Sequence, residues 1–276
     1  MMNDHPSTTQ SIIMDALSTL SSSQLSTLSH SLSSTFHRHN HHLATLLTSP
    51  PLFIHTLNHL YSLSLPQKSL LIARHLLSFL RLLTPFFSSS FPSSTSNRVR
   101  LCDLDSVLLL LFFCEVRQHH PTILDTHPTH WQTTLQHYKF GSDTMLCLST
   151  LTITPYQTLG AYIDLIVKCR RFVRSKGCSN GRKEVATAVE TVVALPSMEV
   201  PIGGLECVIC KEEMKQGRDV CQLPCQHLFH WMCVLPWLSK RNTCPCCRFL
   251  LPTDDVYGEI ERCWDTIVKV GFQRSC

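Results

Sequence analysis

The stretch from Cys207 to Cys247 reads CVICKEEMKQGRDVCQLPCQHLFHWMCVLPWLSKRNTCPCC. Its cysteines and histidines follow the spacing C-x2-C-x14-C-x-H-x2-H-x2-C-x10-C-x2-C, which places eight metal-binding side chains in one short interval. They are Cys207, Cys210, Cys225, His227, His230, Cys233, Cys244 and Cys247. Thiolates separated by two residues can reach one metal ion, and four such ligands complete a tetrahedral zinc site. The sequence therefore predicts two structural zinc ions.

The central part of this stretch indicates that two ions share its ligands. Four ligands fall within the nine residues from Cys225 to Cys233, and they cannot all sit comfortably on one ion. The whole interval is also too short to bury a self-sufficient core. Structural zinc contributes roughly 10–16 kcal/mol in small zinc-finger peptides, so it can replace a core. The alternative, a set of buried or disulfide-paired cysteines, leaves the spacing unexplained.

Cysteine usage elsewhere favours a reducing compartment. Eight of the fifteen cysteines lie in 207–247, and the others are scattered singly, unlike those of a secreted disulfide scaffold. Cys221 and Cys246 lie outside the ligand spacing and are predicted to be free thiols. The N-terminus shows no pattern of a secretory signal. The longest apolar run, Val107 to Cys114, has eight residues, well short of the roughly 18 that a membrane span needs.

The stretch resembles a RING finger of the RING-H2 type, in which histidine occupies the fourth and fifth ligand positions. The resemblance covers about 41 of the 276 residues. Companion residues of that family stand at Ile209, Pro224, Phe229, Trp237, Pro245 and Arg248. The resemblance implies a small zinc-bound ββα domain with interleaved ligands. The first ion would be held by Cys207, Cys210, His230 and Cys233, and the second by Cys225, His227, Cys244 and Cys247.

The resemblance also implies an E3 ubiquitin-protein ligase whose partners are a ubiquitin-conjugating enzyme and ubiquitin. In that family the domain positions the charged conjugating enzyme for transfer to a substrate lysine, so no covalent catalytic residue is expected. Four-ligand zinc sites leave no open position for an activated water, which agrees with a structural role. Ile209, Trp237 and Pro245 match the apolar groove that grips the conjugating enzyme. Arg248 matches the cationic position that contacts both the conjugating enzyme and ubiquitin.

A non-catalytic, zinc-stabilised interaction scaffold is the alternative function. A scaffold would be expected to lose the groove tryptophan or the cationic residue, whereas Trp237 and Arg248 are both present. Readers of the PHD type usually carry histidine only at the fifth ligand, which does not fit this stretch. The net charge of +4 is modest, and no basic stripe interleaved with aromatic residues is present, so nucleic-acid binding is not expected.

The rest of the chain predicts a mainly α architecture. We expect a disordered tail at 1–10, a helical substrate or localisation domain at 11–195 and a linker at 196–204. The RING-H2 finger then occupies 205–250 and a C-terminal helix 251–276. Ser21 and Gln24 form a predicted capping box before leucines at helical spacing. The run His37 to His42 fits either a metal site or a polar helix face or loop, and the polar face or loop is favoured because no other ligand is tied to the run by spacing.

The N-terminal region also bears on location. The first 100 residues hold 22 serines and only two acids, Asp4 and Asp15, a composition shared by organelle transit peptides and by Ser/Leu-rich helices. The run from Ser49 to Leu83, together with the RING itself, resembles plant RING ligases that act in shoot gravitropism and associate with amyloplasts. That resemblance implies plastid association through a peripheral contact, with the RING facing the cytosol. A cytoplasmic location is the alternative.

Overall fold

The computed structural model describes residues 6–87, 101–125, 127–141, 155–175, 185–200, 204–215 and 219–272. They divide into two compact units. The helical unit contains the described residues up to 175 together with 266–272, and the RING unit contains 185–200, 204–215 and 219–265. A helix-rich chain with a small strand-containing RING region and a C-terminal helix confirms the predicted fold class.

In the part of the chain that the structure describes, seven helices of the helical unit precede the RING. They are α1 (Pro6–Leu17), α2 (Ser22–Thr48), α3 (Pro50–Ser62), α4 (Leu65–Leu83), α5 (Leu101–His119), α6 (Pro128–Gly141) and α7 (Pro155–Ser175), with 3-10 turns at Thr84–Phe86 and Pro121–Asp125. The predicted capping box is present at the start of α2. Ser21 Oγ accepts the Gln24 N–H at 3.3 Å, and Gln24 Oε1 accepts the Ser21 N–H at 2.9 Å. Both contacts satisfy amide groups that the first helical turn leaves unpaired.

Helix α1 begins at Pro6, so residues 6–10, which the sequence assigns to a disordered tail, are helical. Thr9 is buried, and its Oγ1 accepts a hydrogen bond from the Arg170 guanidinium of α7 at 3.2 Å. The segment is therefore held by a residue 161 positions away in the chain. The local sequence of a polar N-terminus does not predict such a long-range contact. Residues 1–5 lie outside the described part of the chain.

The core of the helical unit is built from leucine and aromatic side chains. One cluster joins α2, α3, α5 and α6 through Leu43, Leu46, Leu47, Phe53, Leu57, Leu60, Leu109, Phe112, Val116 and Leu135. Elsewhere in the unit, fully buried Tyr162 of α7 packs on Phe79 of α4 and donates its hydroxyl to the Phe79 carbonyl at 2.9 Å. A buried tyrosine normally satisfies its hydroxyl in this way.

The segment Leu65–Phe86, which includes α4, is long and apolar enough to cross a membrane by length and composition alone. More than half of its most apolar window, 56%, is buried inside the structure. Core helices of water-soluble proteins share this length and composition, so the segment is weak evidence for a membrane span.

Two buried histidines lie in the helical unit. The rings of His39 in α2 and His75 in α4 are 5.3 Å apart, and both meet Phe79 edge-on. Burial lowers the pKa of His39 to about 4 and that of His75 to about 3, because removal from water destabilises the charged form of each ring. His42 instead faces the Asp105 carboxylate at 3.3 Å. Within the described ranges no metal-ligand group includes the His37–His42 run.

The described part of the RING unit contains small strands and two short helices. These elements are α8 (Val189–Val193), β1 (Ser197–Glu199), β2 (Leu205–Glu206), β3 (Glu213–Met214), β4 (Asp219–Gln222), β5 (Leu228–Phe229) and α9 (Trp231–Leu238). A longer helix, α10 (Val256–Phe272), begins in the RING unit, and its residues 266–272 are counted with the helical unit. Strands β1, β4 and β5 form one antiparallel sheet, in which Met198 pairs with Val220 and Cys221 with Phe229. Strands β2 and β3 form a separate hairpin. Asp255 caps α10 by accepting the Gly258 N–H at 2.7 Å.

The segment 185–200 lies within the RING unit, although the sequence divides it between the helical domain and the linker 196–204. Its residues 197–199 are strand β1, paired along β4. Leu195 and Val200 are buried in the same core as Val220 and Phe229. Apolar periodicity shows that such residues are buried but does not show against which core, and this explains the difference.

The candidate zinc centres

The eight predicted ligands come together in two groups of four. The first contains Cys207, Cys210, His230 and Cys233, and the second contains Cys225, His227, Cys244 and Cys247. Within each group all ligand atoms lie within 4.8 Å of one another. Three thiolates with one imidazole suit tetrahedral zinc in the first group, and the second group has the same composition. The two clusters are therefore compatible with two zinc ions.

The two cysteine pairs share one backbone geometry. The Cys207 carbonyl accepts the Lys211 N–H at 2.7 Å, and the Cys244 carbonyl accepts the Arg248 N–H at 3.0 Å. Lys211 and Arg248 both have positive φ, 65° and 60°, which is uncommon for residues with a side chain. This left-handed residue after the second cysteine closes a tight turn. Each turn brings the two thiols of its pair close to one point.

The central ligands are oriented by another local reversal. Gln226 has a φ of 67°, and its N–H donates to the Leu223 carbonyl at 2.8 Å. The Leu223 N–H in turn donates to the His227 carbonyl at 3.0 Å. The turn sets His227 Nδ1 3.3 Å from Cys225 Sγ. These two ligands therefore serve the same group although one residue separates them.

Helix α9 begins at the first group. His230 occupies the N-cap position, and its carbonyl accepts the N–H groups of Cys233 and Val234 at 3.0 Å. Its Nδ1 lies 3.4 Å from Cys210 Sγ and 4.0 Å from Cys233 Sγ. The cluster therefore fixes the position of the first turn of α9.

The thiols of the first group differ in acidity. Burial opposes ionisation of Cys207, but N–H groups of Cys210, His230 and Ile209 outweigh it and lower the pKa of Cys207 to about 6. Burial and the neighbouring thiols raise the pKa of Cys233 to about 12. Zinc is bound by thiolates, so binding must displace the protons of the cysteines, and zinc affinity falls in acid.

Cys221 and Cys246 lie outside both ligand groups. Cys221 is buried in β4, where burial raises its thiol pKa to about 11. The Cys246 side chain is exposed, and its backbone N–H donates to Cys244 Sγ at 3.4 Å. Such a donation stabilises a thiolate. The backbone of Cys246 therefore supports the second cluster although its own thiol stays outside it.

The predicted groove residues lie around α9 and the two cysteine turns. Ile209 and Trp237 are half-buried and pack against the RING core, and Pro245 is half-buried in the second turn. The Trp237 indole N–H donates to the Thr243 carbonyl at 2.7 Å, next to Cys244. Arg248 is exposed. Two further apolar side chains are exposed nearby: Val208 in the first cysteine turn and Leu235 in α9.

Sequence reasoning missed one side chain beside the tryptophan. The guanidinium carbon of Arg241 lies 4.8 Å from the Trp237 ring centroid, within the range of a cation–π contact. The spacing of four residues from Trp237, at the end of a helical segment, was the available signal. Arg241 therefore packs on one face of the indole, and the hydrogen bond from the indole N–H to Thr243 holds its edge.

Comparisons with known proteins agree with this site. The family described as Ring finger domain matches residues 205–248. The chain is 47% identical over 272 residues to "E3 ubiquitin-protein ligase SGR9, amyloplastic" of Arabidopsis thaliana, covering 94% of this chain and 95% of that protein.

Two further relatives match a shorter part of the chain. "E3 ubiquitin-protein ligase RNF181" of Xenopus tropicalis is 47% identical over 72 residues, which is 26% of this chain and 45% of the relative. "E3 ubiquitin-protein ligase RING1-like" of Arabidopsis thaliana is 49% identical over 67 residues, 22% of this chain and 20% of the relative. With two four-ligand clusters and similarity along nearly the whole chain, the protein belongs to the RING-type E3 ubiquitin-protein ligases.

Proposed function

We propose that the RING unit holds a ubiquitin-charged conjugating enzyme and orients it for transfer of ubiquitin to a substrate lysine. The observation that carries this proposal is the fixed, half-buried indole of Trp237, held by Thr243 and Arg241 beside exposed apolar side chains. Tryptophan offers a large rigid surface with little loss of side-chain entropy, so it suits an interface anchor.

The remaining groove residues have complementary roles in this proposal. Ile209 and Pro245 extend the apolar surface from the two cysteine turns, while Arg248 contacts both the conjugating enzyme and ubiquitin. A guanidinium suits such a role because it can donate to several carbonyl groups at once. The eight cluster residues act as zinc ligands and fix the surface. Rate enhancement then comes from orientation of the reacting groups.

A self-ubiquitination assay tests the ligase function. The full-length chain, with a panel of charged conjugating enzymes, should form ubiquitin adducts in a zinc-dependent manner. A scaffold without ligase activity would bind partners but yield no adducts with any enzyme of the panel. Ligase activity that survives complete zinc removal would contradict the structural role of the clusters.

For location, we propose that the helical unit contacts the cytosolic surface of a plastid, with the RING in the cytosol. The relative named as amyloplastic supports a plastid address. The helical unit also suits an anionic surface, because no Asp or Glu occurs between Asp15 and Asp103. Ile54 and Tyr61, seven residues apart on α3, are 55% and 61% exposed. Aliphatic and aromatic side chains on one helix face can enter a lipid interface.

Vesicle flotation tests this contact. The full-length chain should float with vesicles that contain anionic lipid and remain behind with neutral ones. The Ile54→Ser and Tyr61→Ser double variant should lose flotation. Protease added to intact plastids should remove a tag placed after the RING. A protected tag would favour import after cleavage of a transit peptide.

A further inference from the structure

A segment before the RING caps the end of the helix that carries Trp237. We call residues 185–200 the strap. The Thr187 N–H donates to the Leu238 carbonyl at 2.9 Å, and Thr187 Oγ1 donates to the Arg241 carbonyl at 3.1 Å. Carbonyls at a helix C-terminus lack partners within the helix. Thr187, only 5% exposed, supplies a donor to Leu238, the last residue of α9, and a second donor to Arg241, just beyond the helix.

Both residues that accept hydrogen bonds from Thr187 lie close to the groove tryptophan. Leu238 follows Trp237 in α9, and the Arg241 guanidinium covers the indole at 4.8 Å. Thr243, which accepts the indole N–H at 2.7 Å, comes two residues after Arg241. Thr187 therefore anchors the backbone at Leu238, next to Trp237 in the chain, and at Arg241, whose side chain covers the indole.

The strap is itself held against the RING unit. The Ala188 N–H donates to the Pro252 carbonyl at 2.9 Å, and Thr253 Oγ1 donates to the Ala186 carbonyl at 2.8 Å. At the other end, the Trp231 indole N–H reaches Ser197 Oγ at 3.2 Å. The strap thus contacts α9 at its first residue and at its last, and it also contacts Arg241 just beyond the helix. Thr187 is fixed in place on both sides.

We infer that Thr187 is a positioning residue for ubiquitin transfer, which acts by holding the Leu238 and Arg241 carbonyls so that Trp237 presents its ring to the conjugating enzyme. This inference rests on the proposed groove role of Trp237. It extends the functional RING of this chain upstream of residue 205, where the family match begins. The inference requires a hydroxyl at position 187, so a serine at this position should preserve the function.

The test uses the full-length chain as wild type, Thr187→Val, Thr187→Ser and Trp237→Ala. The readouts are zinc content and the rate at which a ubiquitin-charged conjugating enzyme discharges, measured across enzyme concentrations. Thr187→Val has nearly the same shape but lacks the donor to Arg241. Its KM for the charged enzyme should rise about three- to tenfold, the factor that corresponds to one net hydrogen bond. The zinc content should remain at about two per chain, kcat should change little, and Thr187→Ser should restore KM.

Three results would overturn the inference. Thr187→Val could match wild type, or it could lower zinc content and kcat together without rescue by serine, as expected of a folding defect. Thr187→Val could also raise KM while Trp237→Ala leaves transfer unchanged, in which case the proposed groove fails as well. If Thr187→Val does not fold, Arg241→Met tests the same link from the other side of the indole. That variant should raise KM with normal zinc content, and an unchanged KM would count against the inference.

Discussion

His230 Nδ1 lies 3.4 Å from Cys210 Sγ, although 20 residues separate them in the chain. The same histidine is the N-cap of α9, which ends at Leu238, just beyond Trp237. One side chain therefore belongs both to a metal cluster and to the start of the helix that carries the proposed groove residue Trp237. We expect loss of metal to disorder the proposed groove before it affects the helical unit, because neither ligand group found among the described residues includes a residue of α2–α7.

We predict two zinc ions per chain, and the neighbouring cysteines 246 and 247 offer a matched test. Both are exposed, but only Cys247 belongs to a ligand group. Cys247→Ser should reduce zinc to one ion or fewer per chain, whereas Cys246→Ser should keep two. Metal analysis of the purified chains measures this. A wild-type value near one, or equal losses in the two variants, would contradict the paired clusters.

We predict that the strap stabilises the RING unit through Val200. This residue is 2% exposed in the RING core, whereas Val193 of α8 is 79% exposed. Val200→Ala removes two buried carbon atoms and leaves a cavity, so it should cost roughly 2 kcal/mol of unfolding free energy. Thermal unfolding of the zinc-loaded chain measures the loss.

Val193→Ala makes the same chemical change on an exposed surface and should leave the RING transition within about 0.5 kcal/mol of wild type. If both variants unfold like wild type, Val200 does not stabilise the RING unit, and the prediction of a linker at 196–204 is favoured.

We predict that acid destabilises the helical unit through His39 and His75. Their pKa values, about 4 and about 3, lie below the ordinary 6.5, so the unfolded chain binds more protons as the pH falls below 6.5. The neutral rings therefore give full stability above about pH 6.5, and this stability is lost progressively toward the folded-state values. At pH 5 the loss should be on the order of 2 kcal/mol per histidine.

Unfolding of the helical unit followed by circular dichroism between pH 7.5 and 5 measures this dependence. His75→Phe keeps an aromatic ring against Phe79 and should flatten the pH profile. His37→Phe changes an exposed histidine of α2 and should retain the wild-type slope. Parallel profiles for all three chains would show that the buried pair does not control acid stability.

We predict that Arg248 acts on the charged conjugating enzyme more than on the free enzyme. The second cysteine turn holds residue 248 at a φ of 60°, and an alanine there would take the same backbone conformation as the arginine. Arg248→Ala should thus leave zinc binding intact and slow ubiquitin transfer roughly tenfold, as expected for loss of charge-assisted hydrogen bonds. Arg248→Lys should restore transfer only in part, because lysine lacks the planar donor fork.

Transfer rates and affinity for the uncharged enzyme, measured side by side, separate these effects. If Arg248→Ala lowered the transfer rate and the affinity for the uncharged enzyme equally, Arg248 would act as part of the apolar groove. If the transfer rate were unchanged, Arg248 would have no role in the proposed site.

The local features of the sequence were sufficient for several parts of the structure. The spacing of Cys207 and Cys210 identified a metal turn, and Ser21 with Gln24 identified a helix start. Both depend on residues within four positions of one another, where backbone geometry leaves few alternatives. The fold class also followed, because apolar periodicity marks long helices.

Long-range partners account for what the sequence did not reveal. Nothing local distinguishes Thr187 from the other threonines of the chain, since its partners are carbonyls at 238 and 241. Likewise, His39 and His75 sit in a polar run and an apolar stripe, and only packing of α2 on α4 brings their rings together. Strand β1 has three exposed residues and no alternation, so its pairing with β4 was invisible in the sequence.

The most direct test of the central claim is single-turnover discharge of a ubiquitin-charged conjugating enzyme onto free lysine. The wild-type chain should accelerate discharge, and Trp237→Ala should lose most of that acceleration while zinc stays at about two per chain. Met232→Ala, at an 82% exposed position of the same helix, should retain far more of it because that side chain lies outside the predicted groove. Undiminished discharge with Trp237→Ala at normal zinc content would contradict the account.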